Sequence, residues 1–283
     1  MELRHLRALV AVVDEGTFTD AAITLGLSQA SVSRTIAGLE AELGVRLLER
    51  NAHGVRPTTS GRLALGHARR ALAECDRLAE QVADAGSEVR IGFAWAALGR
   101  HTIDLQRAWA EQHPGSTVSF IHANTPTAGL AQGQADLAIT RREVRDPAIR
   151  AKVIGVEARY AAIAKGDPLA RRRTLSLRDF AGRVVAVDTR TGTTTVDLWA
   201  PDAAPAKTRS TRGLQDWLAR IAAGELDGMT TAATVQQHPY PGVAYRRVRD
   251  APPVPVWLAW WRAHPPPQLQ DLIDLASELY ARD

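Results

Sequence analysis

The chain has 283 residues, of which 45% are apolar and 23% charged; these proportions exclude wholesale disorder and predict about two domains. No run of about 18 apolar residues occurs, which excludes a membrane-spanning helix, and the start lacks the basic, apolar and small-residue series of an export signal; with a single cysteine, Cys75, this predicts a cytoplasmic protein. The net charge of +4 is no sign of nucleic-acid binding by itself, because residues 1–57 hold six Arg against seven acids, so any DNA contact made there rests on placement rather than on total charge.

Residues 3–15 set Leu3, Leu6, Leu9, Val10 and Val13 on one helical face. Gly16 ends that helix, Thr17 offers an N-cap, and a short second helix runs through Leu25 with the small Ala21 and Ala22 suited to a close crossing. Gly26 breaks the chain. Ser28 then caps a third helix whose buried stripe is Val32, Ile36, Leu39 and Leu43, while Gln29, Ser33, Arg34 and Ala37 fall on or beside the opposite face. Two helices joined by a tight glycine-bearing turn, the second starting on short polar side chains, describe a helix-turn-helix. Its second helix suits the major groove, where Gln pairs with adenine edges, Arg with guanine edges, and Ser with either. The other reading of the pattern is a plain three-helix packing unit with a solvated face.

Leu47 to Pro57 reads as a two-stranded wing around Gly54, with Arg50, His53 and Arg56 as cationic tips. Thr58, Thr59 and Ser60 cap a long helix reaching about Ala85. On it Ala64, Ala68, Ala71, Cys75, Leu78 and Val82 follow the alternating four- and three-residue spacing of a coiled-coil seam. A symmetric partner helix would bury that stripe; packing on its own domain is the alternative. Cys75 reads as a small buried hydrophobe.

Leu3-Arg4-His5-Leu6, Gly16-Thr17-Phe18-Thr19, Ala21-Ala22, Leu27 to Arg34, Leu43 to Arg50 and Thr58 to Gly61 together resemble the LysR-type transcriptional regulators, over about residues 1–65. Ala30 stands where that family commonly has Pro. The resemblance implies that Gln29, Ala30, Ser33 and Arg34 read bases, and that Ser31, Thr35, Arg50, His53 and Arg56 hold phosphates or the groove wall.

The pattern changes at Ser87. Strand-like Val89–Phe93, a helix from about His101 to His113, strand Thr117–His122, helix Thr127–Gln132 and strand Leu137–Ile139 alternate as parallel strands with crossover helices do. Val184–Val187, Thr195–Trp199, Leu214–Ala223 and Met229–Thr231 repeat the alternation less clearly, which predicts two α/β lobes. The run Gly133-Gln134-Ala135-Asp136-Leu137-Ala138-Ile139 resembles a short run of the periplasmic-binding-protein-like effector domain that the same family carries. That fold implies two crossings between lobes, near Ala158–Lys165 and Pro255–Trp260. It also implies a cleft where strand ends and helix N-termini can hold an anion. Effector candidates by position are Trp95, Ala96, Asn124, Thr125, Thr191, Gly192, Thr193 and Thr194, with Met229 and Thr230 edging the second lobe. The stretch from Thr191 to Thr195, rich in hydroxyls at a loop-to-helix junction, suits a carboxylate; an ordinary capped turn is the other reading. The family commonly has Ser or Thr at Ala96, and Trp95 is bulky, so the cleft suits a flat apolar ligand or is partly filled. Trp257, Trp260 and Trp261 read as core or subunit interface.

Dinucleotide, phosphate-loop, metalloprotease and nucleophile-elbow motifs are absent. The eight His lack metal-ligand spacing. No cofactor, metal or catalytic residue is expected. The expected fold is α/β with an all-α-rich N-terminal head: a winged helix-turn-helix over 1–58, a linker dimerisation helix over 59–86, and a two-lobed periplasmic-binding-protein-like effector-binding domain over 87–283. Lobe one takes about 87–160 and 256–283, and lobe two about 161–255. The expected function is a sequence-specific regulator, a homodimer or homotetramer with double-stranded DNA and a small-molecule effector as partners and no membrane. One alternative is a small-molecule binding protein whose helical head serves assembly only; another is an α/β enzyme with an N-terminal interaction module.

Overall fold

A computed structural model of the protein describes residues 1–51, 54–83, 87–188 and 190–282. The chain divides into two compact units, Met1–Ala85 with Ala131–Gly133, and Gly86–Leu130 with Gln134–Asp283.

The first unit is a winged helix-turn-helix followed by one long helix. Helix α1 is Leu3–Glu15, α2 Phe18–Leu25 and α3 Gln29–Leu43. Thr17 Oγ1 accepts the Asp20 N–H at 3.0 Å, and Ser28 Oγ accepts the Ser31 N–H at 3.2 Å, so both later helices start on short side chains that satisfy free backbone donors. Between α2 and α3 the chain turns at Gly26, whose φ of 65° lies in the left-handed region open to glycine. The core gathers Ala8, Leu9 and Val12 of α1, Ala21 and Ala22 of α2, and Val32, Ile36 and Leu39 of α3. Leu3 and Leu43, expected on the buried stripes, are 40% and 44% exposed. Each lies in a terminal turn, beyond the reach of the crossing helix, and Ala8, Ala11 and Val12 take the inner positions of α1.

Strands β1 Leu48–Asn51 and β2 Gly54–Pro57 form the wing, with Glu49 opposite Arg56 and Arg50 opposite Val55. The Glu40 carboxylate of α3 accepts the Leu47 and Leu48 N–H groups at 2.7 and 3.1 Å, which clamps the wing to the helix beside it. Helix α4 spans Thr59–Ala83. Gly61 lets it pass the wing, because a Cβ there would stand 1.9 Å from the Leu47 carbonyl oxygen. The expected seam is divided. Ala68 is buried with Leu65 in the head's own core and Ala64 packs against it, whereas Leu78 is 65% exposed. The first turns of α4 are spent on α1, so only the later part of the stripe is open to another helix; the Val82 side chain lies outside the described residues.

The second unit holds two α/β lobes. In chain order its elements are β3 Ser87–Phe93, α5 His101–Gln112, β4 Ser116–His122, β5 Leu137–Thr140, β6 Ile149–Glu157, β7 Arg159–Ala164, β8 Thr174–Leu175, β9 Val184–Val187, β10 Lys207–Ser210, α6 Leu214–Ala222, β11 Gly228–Thr231, α7 Ala232–Gln237, β12 Val243–Val248, β13 Val254–Trp261 and α8 Leu269–Ala281. One sheet has the order β4-β3-β5-β13-β6; the other lobe combines β11-β7-β12-β8 with the pair β10-β9. Val89, Ile91, Leu137, Ile139, Val256 and Leu258 centre the first core, and Ile163, Leu175, Phe180 and Val185 the second.

Several expectations change here. The first sheet is mixed: β3 pairs in parallel with β4 and β5, but β13 enters antiparallel between β5 and β6 as the chain returns from the other lobe. The crossings are Ala158 and residues 249–253. Residues Pro255–Trp260, expected as a crossing, lie in β13, because Val254, Val256 and Leu258 alternate into the first core. Arg159 and Tyr160 accordingly belong with the second lobe, and Val254 and Pro255 with the first. The expected helix Thr127–Gln132 is a turn ending in one 3₁₀ turn, Leu130–Gln132. Trp260 packs on the first core, and Trp261 Nε1 donates to the Leu130 carbonyl at 3.2 Å.

Candidate functional site

Helix α3 carries the head's outward chemistry. With Val32, Ile36 and Leu39 buried, the 3.6-residue period turns Ala30, Arg34 and Ala37 to the far side, with Gln29 at the exposed start. Ser31 and Ser33 are half-buried on its flanks. The Ser28 hydroxyl donates to Ser31 Oγ at 3.0 Å, and the Arg34 guanidinium reaches the same Ser31 oxygen at 3.5 Å. Among the described residues no carboxylate pairs with Arg34. Its charge is therefore available to an outside acceptor. Thr35 differs from expectation: its hydroxyl donates to the Ser31 carbonyl at 2.9 Å and so is engaged by its own helix. Arg56 is exposed on β2. His53 and the Arg50 side chain lie outside the described residues.

The cleft of the second unit is closed from within. Trp95 follows β3 in the first lobe, and its Nε1 stands 2.9 Å from both Asp188 Oδ2 and Thr191 Oγ1 of the second. Its ring meets Trp217 of α6 edge-on, with centroids 5.3 Å apart. The Thr191 hydroxyl donates to Asp188 at 2.6 Å, with Asn124 Oδ1 3.1 Å away. The Arg190 and Thr191 N–H groups donate to the other Asp188 oxygen at 2.9 and 3.4 Å. Burial pushes the Asp188 pKa up, but bonds from Thr191, Arg190 and Trp95 outweigh it and hold the carboxyl below the ordinary carboxylate value. The donors expected to greet a ligand's carboxylate thus already hold one of the protein's own.

About 40 Å³ remains in the slot between Trp95, Trp217, Thr193, Thr194 and Thr231, room for a water or two. Beside it opens a groove of about 710 Å³ lined by Trp95, Thr125, Thr127, Arg142, Arg145 and Arg190. The expected residues Thr191, Gly192, Thr193, Thr194, Met229 and Thr230 do gather at the slot with Trp95, and Asn124 bonds across it. Ala96 does not. It is fully buried, and only its carbonyl is used, accepting from Arg141 at 2.5 Å. The stretch Thr191 to Thr195 is no helix start; it turns into a single 3₁₀ turn, Val196–Leu198. Asp188 takes its backbone donors, and Gly192 is drawn in to bond the Asp188 carbonyl at 3.1 Å.

Sequence reading missed the groups that brace the cleft. Arg141, next after β5, bonds Glu157 at 2.8 and 3.0 Å and the Ala96 and Ala97 carbonyls at 2.5 and 2.6 Å. Tyr280 donates to Glu157 at 2.7 Å. Burial raises the Glu157 pKa, yet the Arg141 charge and its hydrogen bond, with the bond from Tyr280, bring the net value below the ordinary one. His238 Nε2 bonds the Trp95 carbonyl at 2.9 Å, and Gln237 Oε1 accepts the Ala97 N–H at 3.0 Å. Arg141 and Asp188 stand directly at strand ends, a position that marks cleft residues in α/β sheets and could have found them. Nothing local marks Gln237 or Glu157.

Comparison with known proteins gives a consistent result. Residues 3–62 match the family described as bacterial regulatory helix-turn-helix protein, lysR family. Residues 83–281 match the LysR substrate binding domain. The HTH-type transcriptional regulator BenM of Acinetobacter baylyi is 33% identical over 174 residues, 60% of this chain and 57% of BenM. ShiR of Corynebacterium glutamicum is 31% identical over 189 residues, 64% of each chain. The matched stretches thus span less than two thirds of these relatives' lengths. Among solved structures, CbnR, a LysR family transcriptional regulator, superposes with a TM-score of 0.70 at 25% identity and full coverage of both chains. Full-length CbnR complexed with its target DNA gives 0.67 at 26% identity, covering 98% of this chain and 99% of that one.

Proposed function

Since the chain belongs to the LysR family of bacterial regulatory proteins, we propose that it is a sequence-specific DNA-binding transcriptional regulator. In this reading residues 1–58 are the DNA-binding head, 59–86 the linker helix and 87–283 the effector-binding domain. The observation that carries it is α3: a Ser28-capped helix whose outer side offers Gln29, Ala30, Ser33 and Arg34, with Arg34 held by no acid among the described residues. Those side chains read base edges, while Ser31, Arg50, His53 and Arg56 meet the backbone, the Thr35 hydroxyl being held by its own helix. The exposed Leu63 and Leu78 of α4 favour pairing of two copies, which sets two heads at half-sites about one or more helical turns apart. The regulator acts where the DNA is, in the cytoplasm, and no helix among the described residues is long and apolar enough to cross a membrane. No step of this activity calls on a catalytic residue. A small molecule binds at the cleft between the lobes and shifts the balance between two assemblies.

The test is a salt titration of the full chain on a duplex from its own promoter region. Log affinity should fall with log salt at a slope of about −0.9 per phosphate neutralised. Arg34→Ala should cost about 1–3 kcal/mol on the specific site and nothing on unrelated DNA. Indifference of the wild type to duplex DNA in dilute buffer would leave the binding-protein alternative, with the head serving assembly alone.

A further inference from the structure

Residues 87–283 hold 25 Lys and Arg against 20 Asp and Glu. Two short segments account for the whole excess: 165–178 and 246–250 together hold eight against three. Each contains a run of arginines, Arg171-Arg172-Arg173 in one and Arg246, Arg247 and Arg249 in the other. An arginine-rich composition by itself would spread that excess over the domain.

The fold lays the two runs side by side. The first leads into β8, the edge strand of the second lobe's sheet, which pairs in parallel with β12: Thr174 lies opposite Arg247, and Leu175 opposite Val248. The Arg249 N–H donates to the Leu175 carbonyl at 2.9 Å. The Arg246 guanidinium donates to the Ala170 carbonyl just ahead of the first run, and to the Tyr245 carbonyl at 2.7 Å, so it fastens one run to the other. Leu175 and Val248 hold the two strands to the core, while Arg171, Arg172, Arg173, Arg247 and Arg249 are all exposed. Among the described residues only Arg172 of these five meets a carboxylate, Asp179 at 2.7 Å. Like charges on neighbouring strands repel, and a partner of opposite charge relieves the repulsion.

The chemistry of the strip selects the partner. None of the exposed large apolar side chains lies in either segment. A protein interface is built around an apolar or aromatic centre, which this strip lacks. Binding to a nucleic-acid backbone needs only spaced cations, and the guanidinium fork suits phosphate oxygens. We propose that the arginine strip of the second lobe is a second DNA-contacting surface, which holds the phosphate backbone of a duplex without reading its sequence. The proposal goes beyond the regulator reading, which puts DNA on the head alone, and rests on it only for the presence of a duplex. Charge is then divided by task. The head, with six Arg against seven acids in residues 1–57, reads bases by placement, and the strip supplies net attraction.

The experiment uses the full chain and two duplexes of equal length, one from the promoter region and one of unrelated sequence, with affinity followed by fluorescence anisotropy over a range of salt. The strip variant combines Arg171→Gln, Arg173→Gln, Arg247→Gln and Arg249→Gln. A control removes the same charge from residues exposed elsewhere on the unit, with Arg150→Gln, Lys152→Gln, Arg212→Gln and Arg262→Gln. On both duplexes the strip variant should lose about tenfold or more in affinity at low salt, and its slope of log affinity against log salt should become shallower by about three to four, at about 0.9 per phosphate released. The control should stay within about twofold of the wild type. Lys at the same four strip positions should restore most of the slope, because charge suffices for counterion release. If the four-residue Gln variant melts early, Arg171→Gln with Arg173→Gln is read in its place, and about half the change in slope is expected. An unchanged slope in the strip variant overturns the proposal and leaves the strip to an acidic protein partner; an equal loss in the control overturns it as an effect of net charge. The two readings fail separately. A strip effect without preference for the promoter defeats the regulator reading and keeps the strip, while promoter preference with unchanged slopes defeats the strip alone.

Discussion

In the head, the chemistry offered to a partner stands on one helix and points away from the core, with Gln29, Ala30 and Arg34 exposed. In the two-lobed domain the comparable polar groups come from separate segments and turn inward on one another, Trp95 and Thr191 onto Asp188 and Arg141 onto Glu157. The head is ready for a rigid, highly charged surface that arrives already formed. The cleft is occupied by its own side chains, so a ligand has to replace contacts that exist without it. A DNA contact in the head is thus governed by the ligand's shape and charge, and a contact in the cleft by the difference between two sets of bonds.

The sharpest way to break this contrast is at the brace. Glu157→Ala leaves the Arg141 charge buried without its acid, and should cost about 3–5 kcal/mol in urea unfolding of the second unit's signal while leaving the head's helices intact. A loss under 1 kcal/mol would mean that the cleft is not held by this pair. The pH dependence follows from the same group. Glu157 sits below its ordinary 4.5, so its contribution is complete above that value and is lost as pH falls through the lowered one; acid melts should be steeper for the wild type than for the variant. Next comes the plug. Trp95→Ala should lose about 3 kcal/mol and open the slot. Free indole should then raise the variant's melting temperature and leave the wild type unmoved; equal responses would show that Trp95 does not fill the cleft. Smallest is the cap. Ser28→Ala should lower stability by about 1 kcal/mol, read by circular dichroism. DNA affinity falling much further than stability would show that the start of α3 also meets phosphate.

The head was legible almost residue by residue. Gly16, Gly26 and Gly44 end its helices, Thr17 and Ser28 start two of them, and the stripe Val32, Ile36, Leu39 repeats at helical spacing, all of which are signals carried within a turn or two. The errors there, Leu3 and Leu43, came from assuming that a stripe is buried along its whole length. In the second unit the strands Val89–Phe93 and Val184–Val187 could be read from their apolar runs, but β13 was taken for a connector and β6 went unseen, since partner strands far off in the chain decide what a run of apolar residues does. The cleft residues were found as positions rather than as contacts. Thr191 and Trp95 were named without the Asp188 that joins them, and Arg141 was not named.

The sequence by itself determined the order of elements, the outward face of α3 and the family, because periodicity, caps and glycine turns act over a few residues and need no partner. Only the tertiary structure decided that Trp95 fills the cleft, that Ala64 and Ala68 belong to the head's core, and that Glu157 answers the Arg141 charge. Burial and charge pairing depend on which distant segments meet, and the free energy of a buried charge is set by those neighbours rather than by the residue's own type.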